Sequence, residues 1–469
     1  MSNEDKTEGC REWAVASINN LIASDGLFVD GDWIESKDQD PYGDIRLIQL
    51  ADIGDGVFRN KSQRFLTKTT ATRLNCTFLE YHDILVARIP EPLGRACLFP
   101  FNKKYSYVTA VDVAIIRPGN VSVDAAFLMH AINYQETRNK ISKLQSGTTR
   151  KRISRSNLAT IDISFPPLPE QRRIVAKIEE LFSELDKSVE LLKTLQQQVK
   201  VYRQAVLKAA FEGKFTNDNS PWQTISLKDI GVWTGGGTPS KNNNDYWDNG
   251  TILWVSPKDM KCKVIDDTMN KITTEGLINS SAKLISKGSI LFVVRSGILR
   301  RTIPIAIAEE DLTTNQDIQS VTPNGGIQSE YIFWYCKAHE EDIREKCTKD
   351  GTTVDSIETS LLKRYPVKVC SFSNQKQIVQ EIESRLSVAD KCEDTINQAM
   401  QQAESLRQSI LKKAFEGRLL SESELEEIRQ EPDWEPASVL LERIKAQKSA
   451  PDVSKPPAKQ SSRKGKKHS

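Results

Sequence analysis

Two stretches of this chain share one pattern of apolar and polar positions, written 204 residues apart. From Glu170 it reads EQRRIVAKIEELFSELDKSVELLKTLQQQVKVYRQAVLKAAFEGKF, and from Asn374 NQKQIVQEIESRLSVADKCEDTINQAMQQAESLRQSILKKAFEGRL. Gln171 falls on Gln375, Ile174 on Ile378, Asp186 on Asp390, Arg203 on Arg407 and Phe211 on Phe415. Roughly 18 of about 46 positions are identical without a gap, which marks an internal duplication. In the first copy apolar residues step by four and three through Ile178, Leu181, Leu185, Leu192, Leu195, Val199, Tyr202 and Val206, with Ser188 interrupting. In the second the seam runs Ile378, Ile382, Ala389, Cys392, Ile396, Ala399, Ala403, Leu406 and Ile410, with Arg385 interrupting. That spacing predicts two long amphipathic helices. Large seam residues on one and small ones on the other suit close packing of the pair. Neither contains Gly or Pro before its terminal Gly213 or Gly417, which stands where a C-cap belongs, and Pro166, Pro167 and Pro169 form a stop signal ahead of the first. At about 1.5 Å per residue, 45 residues reach roughly 65 to 70 Å, more than a compact core needs.

The stretches ahead of each helix have another texture. Short β-branched runs separated by turn residues (IRLIQLADIGDG, DILVARI and YVTAVDVAIIRPGN, then TILWVSPKDM, GSILFVVRSG and IPIAIAEE) predict strand-rich modules. Helical patterns at AAFLMHAINYQETRNKI and SEYIFWYCKAHEEDIREKC hold matching places before two GTT strings, and Gly147, Thr148 and Thr149 fall on Gly351, Thr352 and Thr353 at the same offset of 204. The expected architecture is α+β: two α/β modules separated by two long helices packed as an antiparallel coiled coil, with an internal pseudo-twofold repeat. The expected divisions are a first module at 1–165, a first helix at 166–217, a second module at 218–370, a second helix at 371–420, and a C-terminal extension at 421–469. The extension offers one amphipathic stretch, PASVLLERIKAQK, and ends in the low-complexity string SKPPAKQSSRKGKKHS, expected to be disordered.

Composition narrows the function classes only a little. With 469 residues there is room for two domains, and 38% hydrophobic with 27% charged residues is an ordinary globular mix. The 65 basic and 63 acidic residues give a net charge of +2, so any nucleic-acid surface must come from distribution. Basic residues cluster at Arg150, Lys151, Arg152 and Arg155, at Arg295, Arg300 and Arg301, and in the last fifteen residues. Eight Cys without a CxxC pair and four His give no metal-ligand spacing, and buried free thiols are expected. The start MSNEDKTEG lacks an apolar stretch and no run approaches membrane-spanning length, so the chain reads as cytoplasmic with no membrane partner.

Three strings imitate catalytic motifs. Asp40, Pro41, Tyr42 and Gly43 approach the loop with which adenine methyltransferases grip an amine, but the second Pro is missing and no glycine-rich turn for S-adenosylmethionine follows a strand; a surface turn is expected. Glu35, Ser36 and Lys37, after Asp30 and Asp32, form an acid-x-Lys string of the sort metal-dependent nucleases use, in a turn-rich stretch where such strings arise by chance. Gly235, Gly236 and Gly237 precede Thr238, Pro239 and Ser240 without a following GK[ST]; backbone N–H groups in such a loop suit a DNA phosphate better than a nucleotide.

Four strings, PPLPEQRRIVAKIEELF (166–182), RQAVLKAAFEGKF (203–215), RQSILKKAFEGRL (407–419) and GGTPSKNNNDYWDNGTILWVSPKDM (236–260), resemble the specificity subunits of Type I restriction-modification systems over nearly the whole chain. The resemblance implies two target-recognition domains, each gripping half of a split, asymmetric double-stranded DNA site, held apart by the paired helices. It implies no catalytic site and no cofactor on this chain. Two methyltransferase subunits using S-adenosylmethionine and two ATP- and Mg-dependent restriction subunits are the implied partners. A DNA-binding adaptor for some other catalytic partner, or a scaffold with two protein-binding modules, would share the same build. Reading a half-site needs side chains at base edges, steadied by phosphate contacts. Candidates in the first module are Arg88, Arg95, Thr148, Thr149, Arg150, Lys151 and Arg152. In the second they are Thr238, Ser240, Lys241, Tyr246, Lys258, Arg295, Arg300, Arg301, Thr352 and Thr353.

Overall fold

The computed structural model describes residues 12–89, 92–103, 106–216, 221–349 and 355–449. The chain divides into two compact units, Met1–Glu190 with Met400–Ser469, and Leu191–Ala399. In the first, strands β1 (Ala14–Ser17), β2 (Leu27–Asp30), β3 (Ile45–Ile48) and β4 (Arg64–Leu66) precede helix α1 (Lys68–Arg73). Strands β5 (Ile84–Ala87), β6 (Ala96–Leu98), β7 (Tyr107–Thr109) and β8 (Val113–Arg117) follow, then helices α2 (Ala125–Asn133), α3 (Gln135–Lys143) and α4 (Arg155–Ala159), and strand β9 (Asp162–Phe165). Helix α5 (Leu168–Phe211) runs from the first unit into the second.

The second unit repeats the plan. It holds β10 (Gln223–Ser226), β11 (Gly231–Gly235), β12 (Ile252–Val255), β13 (Val264–Ile265) and β14 (Asn270–Ile272), then α6 (Thr274–Ile278). Next come β15 (Ile290–Val293), β16 (Ile305–Ala308), β17 (Thr313–Thr314) and β18 (Ile318–Pro323). It continues with α7 (Ser329–Ala338), α8 (Glu340–Cys347), β19 (Thr348–Lys349), β20 (Ser356–Ile357), α9 (Thr359–Arg364) and β21 (Pro366–Val369). Helix α10 (Phe372–Phe415) leads back into the first unit, where α11 (Glu422–Arg429) and α12 (Ala437–Ser449) close the described chain.

Each unit contains a larger sheet, ordered β2-β8-β5-β6 or β11-β18-β15-β16-β13, and a three-stranded one, ordered β4-β3-β7 or β14-β12-β17. The central strands ILVA and ILFV are continuous apolar runs because both of their faces are covered. Strand alternation sends Ile84 and Val86 into the core shared with α2, and Leu85 and Ala87 into a second core with Ile48 and Phe99. Ile290 with Phe292, and Leu291 with Val293, divide in the same way. The two helical patterns ahead of the GTT strings form α2–α3 and α7–α8, as their spacing predicts.

The helix seam differs from the expected one. Leu195, Tyr202 and Leu406 are exposed, as are Ser188 and Cys392. The side chains turned inward are Phe182, Leu185, Val189, Leu192, Gln196, Val199, Arg203 and Val206, and the second helix follows the same positions plus 204. A residue-by-residue hydrophobic reading steps off this stripe wherever it carries a polar group, since it passes through Gln196, Arg203 and Arg407. Those groups find partners on the other helix. In the second unit Arg203 bonds Asp390 at 2.5 Å and Glu393 at 2.9 Å, and in the first Arg407 bonds Asp186 and lies 4.7 Å from the Phe182 ring centre. Higher positions on one helix meet lower ones on the other in each unit, so the pairing is antiparallel.

Both helices begin and end alike. Gln171 accepts the Asp124 N–H at 2.9 Å and donates to the Pro166 carbonyl at 2.8 Å; Gln375 accepts the Gln328 N–H at 2.9 Å and donates to the Cys370 carbonyl at 2.9 Å. All of these positions are related by 204. At the far ends Gly213 and Gly417 take φ of 79° and 67°, and the N–H groups of Lys214 and Arg418 return to the carbonyls of Ala209 and Lys413. This is the two-bond helix stop that favours glycine.

The amphipathic stretch of the extension forms α12, which buries Ala437, Leu440 and Ile444 in the first unit's core. The basic string after it lies outside the described residues. Cys76, Cys97, Cys336, Cys347 and Cys370 are buried free thiols, whereas Cys262 and Cys392 are exposed, one in a turn and one on the outward face of α10. Among the described residues no helix is long and apolar enough to cross a membrane.

Candidate nucleic-acid interface

In the first unit the GTT string forms the tip of a short hairpin, closed by reciprocal bonds between Ser146 and Arg152 at 2.8 and 2.9 Å. Thr148, Thr149, Arg150, Lys151 and Arg152 all stand exposed on it. The Ile153 N–H joins the hairpin to the Arg88 carbonyl at the end of β5, at 3.1 Å. In the second unit β19 and β20 form the matching hairpin, and the Ile357 N–H reaches the Val294 carbonyl at 2.8 Å. Thr352 and Thr353 lie outside the described residues. Beside it Arg295 is exposed, and Arg300 pairs with Asp355 at 3.2 Å. Arg150, Arg295 and Arg301 form no ion pair among the described residues, so their guanidinium groups are open to an anionic or base-edge partner.

Arg88 and Arg95 depart from the expectation of surface contact. Arg88 is 5% exposed, donates to the Val111 carbonyl at 2.6 Å and pairs with Asp30 at 3.3 Å. Arg95 is 9% exposed and donates to the carbonyls of Ile53 and Pro92. Both spend guanidinium donors on backbone carbonyls of their own module, as burial favours, and so hold its loops.

The glycine loop also differs from the expected anion cradle. The Gly236 and Gly237 N–H groups donate to the Ile318 and Thr314 carbonyls at 3.3 and 2.8 Å. A Cβ on Gly236 would lie 2.0 Å from the Asn315 carbonyl oxygen, and one on Gly237 2.2 Å from that of Ser281. These glycines permit close backbone packing. Of the candidates on this loop Ser240 and Lys241 are exposed, alongside Asn242, Asn244, Asp245 and Asp248. Thr238 bonds Gln316, Tyr246 is half-buried with its hydroxyl 3.5 Å from the Asn279 carbonyl, and Trp247 donates to the Ser240 carbonyl at 3.0 Å. Lys258 is exposed on a separate turn whose Asp259 carboxylate accepts the Ser256 and Met269 N–H groups.

The first unit has a counterpart of this loop that motif reading passes over. Residues 31–44 connect β2 to β3 as 236–251 connect β11 to β12, the same two positions in the same two sheets. Ser36, Lys37 and Tyr42 fall on Ser240, Lys241 and Tyr246 at the offset of 204. The signal was that offset, hidden behind the resemblance of Glu35–Lys37 and Asp40–Gly43 to enzyme motifs. Glu35 in fact pairs with Lys37 at 2.6 Å, and Asp32 accepts the Thr77 N–H at 3.0 Å. Burial raises the Asp32 carboxyl to about 6.

The sequence profile described as the Type I restriction modification DNA specificity domain matches residues 11–201 and 219–404. The chain belongs to that family. Among curated members, the Escherichia coli EcoR124I/EcoR124II specificity subunit is 35% identical over 239 residues, 49% of this chain and 56% of its own length. This chain thus matches little more than half of that relative. The EcoKI specificity subunit of Escherichia coli strain K12 is 25% identical over 355 residues, 72% of this chain and 74% of its own. A solved chain from work on complex assembly and conformational transition of the type I R-M system superposes with a TM-score of 0.68 at 17% identity, covering 87% of this chain and 98% of that one. The HsdS subunit from Thermoanaerobacter tengcongensis gives 0.54 at 17% identity over 87% and 97%. At such identities the specificity family's fold is what is shared.

Proposed function

We propose that this chain is the non-catalytic specificity subunit of a Type I restriction-modification assembly, reading a bipartite, asymmetric DNA site with one module per half-site. It directs adenine methylation or DNA cleavage by partner subunits, two methyltransferase and two restriction subunits, in the cytoplasm. S-adenosylmethionine, ATP and Mg belong to those partners, and this chain supplies no cofactor site. Thr148, Thr149, Arg150, Lys151 and Arg152 in the first module, and Ser240, Lys241, Lys258, Arg295, Arg300 and Arg301 in the second, are the contacts we assign. The observation that carries this reading is the repeated frame: bonds made by Gln171 and Gln375 recur at one offset, while the exposed side chains around the two hairpins differ. Two similar scaffolds with dissimilar surfaces suit two dissimilar half-sites.

The test is to express the chain with its methyltransferase partner and sequence the modified adenines. One split site is expected. DNA rises about 3.4 Å per base pair, so a heptad inserted into a long helix is expected to change the spacer and leave both half-sites intact. An unaltered spacer removes the measuring role of the helices, and absence of adenine methylation in the co-purified complex overturns the function. Purified alone, the chain is expected neither to methylate nor to cut DNA.

A further inference from the structure

Tyr42 is 97% exposed and Trp33 70%, the two most exposed aromatic side chains among the described residues, and both stand on the loop joining β2 to β3. The backbone beneath them is fixed. The Asp40 N–H bonds the Phe65 carbonyl at 2.8 Å, and the Tyr42 N–H bonds the Asp40 carboxylate at 2.9 Å. Arg73 pairs with Asp38 at 2.6 Å, and the Lys68 N–H bonds the Asp44 carboxylate at 3.1 Å. With Asp32 held by Thr77 and Glu35 by Lys37, every carboxylate of the loop has an internal donor. Beside the exposed Ser36 and Lys37, the loop therefore presents aromatic surface on a preorganised backbone, the Trp33 indole N–H donating to Glu35 at 3.2 Å. In the second unit the equivalent residue, Tyr246, is tied down and its neighbour Trp247 packs edge-on to Trp254 at 5.1 Å.

We infer that Tyr42 and Trp33 are specificity-determining residues that engage the bases of the half-site read by the first module. This rests on the DNA-reading function proposed above. An acidic loop repels phosphates, so its contacts are to base faces and edges, where an aromatic wedge or a thymine methyl contact needs no cation. Both modules turn a Ser-Lys pair outward, Ser36 and Lys37 or Ser240 and Lys241, but the second folds its aromatics in and reads through hydrogen bonds and charge alone.

The experiment uses the full chain in complex with its methyltransferase and a duplex carrying the site mapped for the unaltered complex. Tyr42→Ala with Trp33→Ala is expected to lower specific affinity at least tenfold, with an unchanged slope of log K against log salt. Methylation is expected to relax at one half-site and stay strict at the other. Lys37→Ala is expected to leave the half-site preference unchanged, and Tyr81→Ala, another exposed aromatic, to match the unaltered complex. Unchanged affinity and half-site stringency in the double variant would overturn the inference, as would a loss accompanied by a shallower salt slope, which would make the loop a phosphate contact. If instead the unaltered complex methylates no split site, the functional reading itself fails.

Discussion

Where the helices leave their modules, the first and second units are close copies; beside those junctions each fills a space the other leaves open. In the first unit His130 borders an open groove of about 660 Å³ with Phe182, Asp186 and Arg407. In the second, Trp334 occupies the position of His130, and Lys263 lies 5.3 Å above its ring and pairs with Glu383, the counterpart of Glu179. The lysine comes from the turn before β13, a fifth strand that the first unit's larger sheet lacks among the described residues. At the opposite end of the frame the roles exchange. Tyr134 stacks on Phe415 at 5.4 Å in the first unit, while Ala338 stands in its place in the second and a cleft of about 840 Å³ opens beside Phe211. The difference teaches that the duplicated frame constrains backbone junctions and helix seams, and tolerates exchange of bulk wherever a side chain borders solvent.

The strongest test of that contrast is a matched truncation. Phe211 is 6% exposed and packs edge-on to Tyr331 and Tyr335, so Phe211→Ala is expected to cost about 3–5 kcal/mol. Phe415 is only half-buried, and Phe415→Ala is expected to cost less, about 2–3 kcal/mol. Hydrogen exchange read separately on peptides of each unit measures both, and equal losses would break the comparison.

Acidity separates the units next. Glu170 is buried, accepts the Trp13 indole N–H at 3.0 Å, and is pushed up to about 7 by burial; Asn374 is its counterpart and does not titrate. Because its folded value lies above the unfolded one, near 4.5, the folded state holds the proton more tightly. Stability of the first unit therefore falls as pH rises from about 4.5 to about 7, by on the order of 2–3 kcal/mol. Glu170→Gln is expected to flatten that dependence in urea titrations at pH 5 and pH 8. A second unit that shows the same slope would remove the assignment.

The smallest effect concerns the seam. Arg203→Ala and Arg407→Ala are each expected to cost about 1 kcal/mol or less, because both arginines are partly exposed and screened. Exchanging the charges, Arg203→Asp with Asp390→Arg, is expected to recover most of the loss in a double-mutant cycle at low salt. No recovery would show that the polar seam positions are tolerated and do not fix register.

Much of the frame was legible in the linear chain. The offset of 204 and the Gly213 and Gly417 stops need only local pattern, and β5 and β15 announce themselves as continuous apolar runs. The hydrophobic pattern runs one position off the seam at Leu195 and Tyr202, because Gln196 and Arg203 face a partner helix that a single helix cannot reveal. The candidate interface was less legible. Arg88 looks like any strand-end arginine until burial commits it to Val111 and Asp30, and the glycines at 236 and 237 imitate a phosphate loop until their N–H groups are followed to their acceptors. Ser36, Lys37 and Tyr42 lie inside strings that imitate enzyme motifs, and only the offset of 204 ties them to Ser240, Lys241 and Tyr246.

The glutamine at the start of each long helix also bears on how such a chain can diversify. Gln171 and Gln375 grip the first turn of the module's own helix and the chain just before the long one, using only backbone partners. No side chain of the module need match for the grip to form. A foreign module that presents the N–H just ahead of its equivalent of α2 or α7 at the same place can be spliced in ahead of the glutamine and inherit a working attachment, so new target preferences can arise by recombination without redesign of the joint.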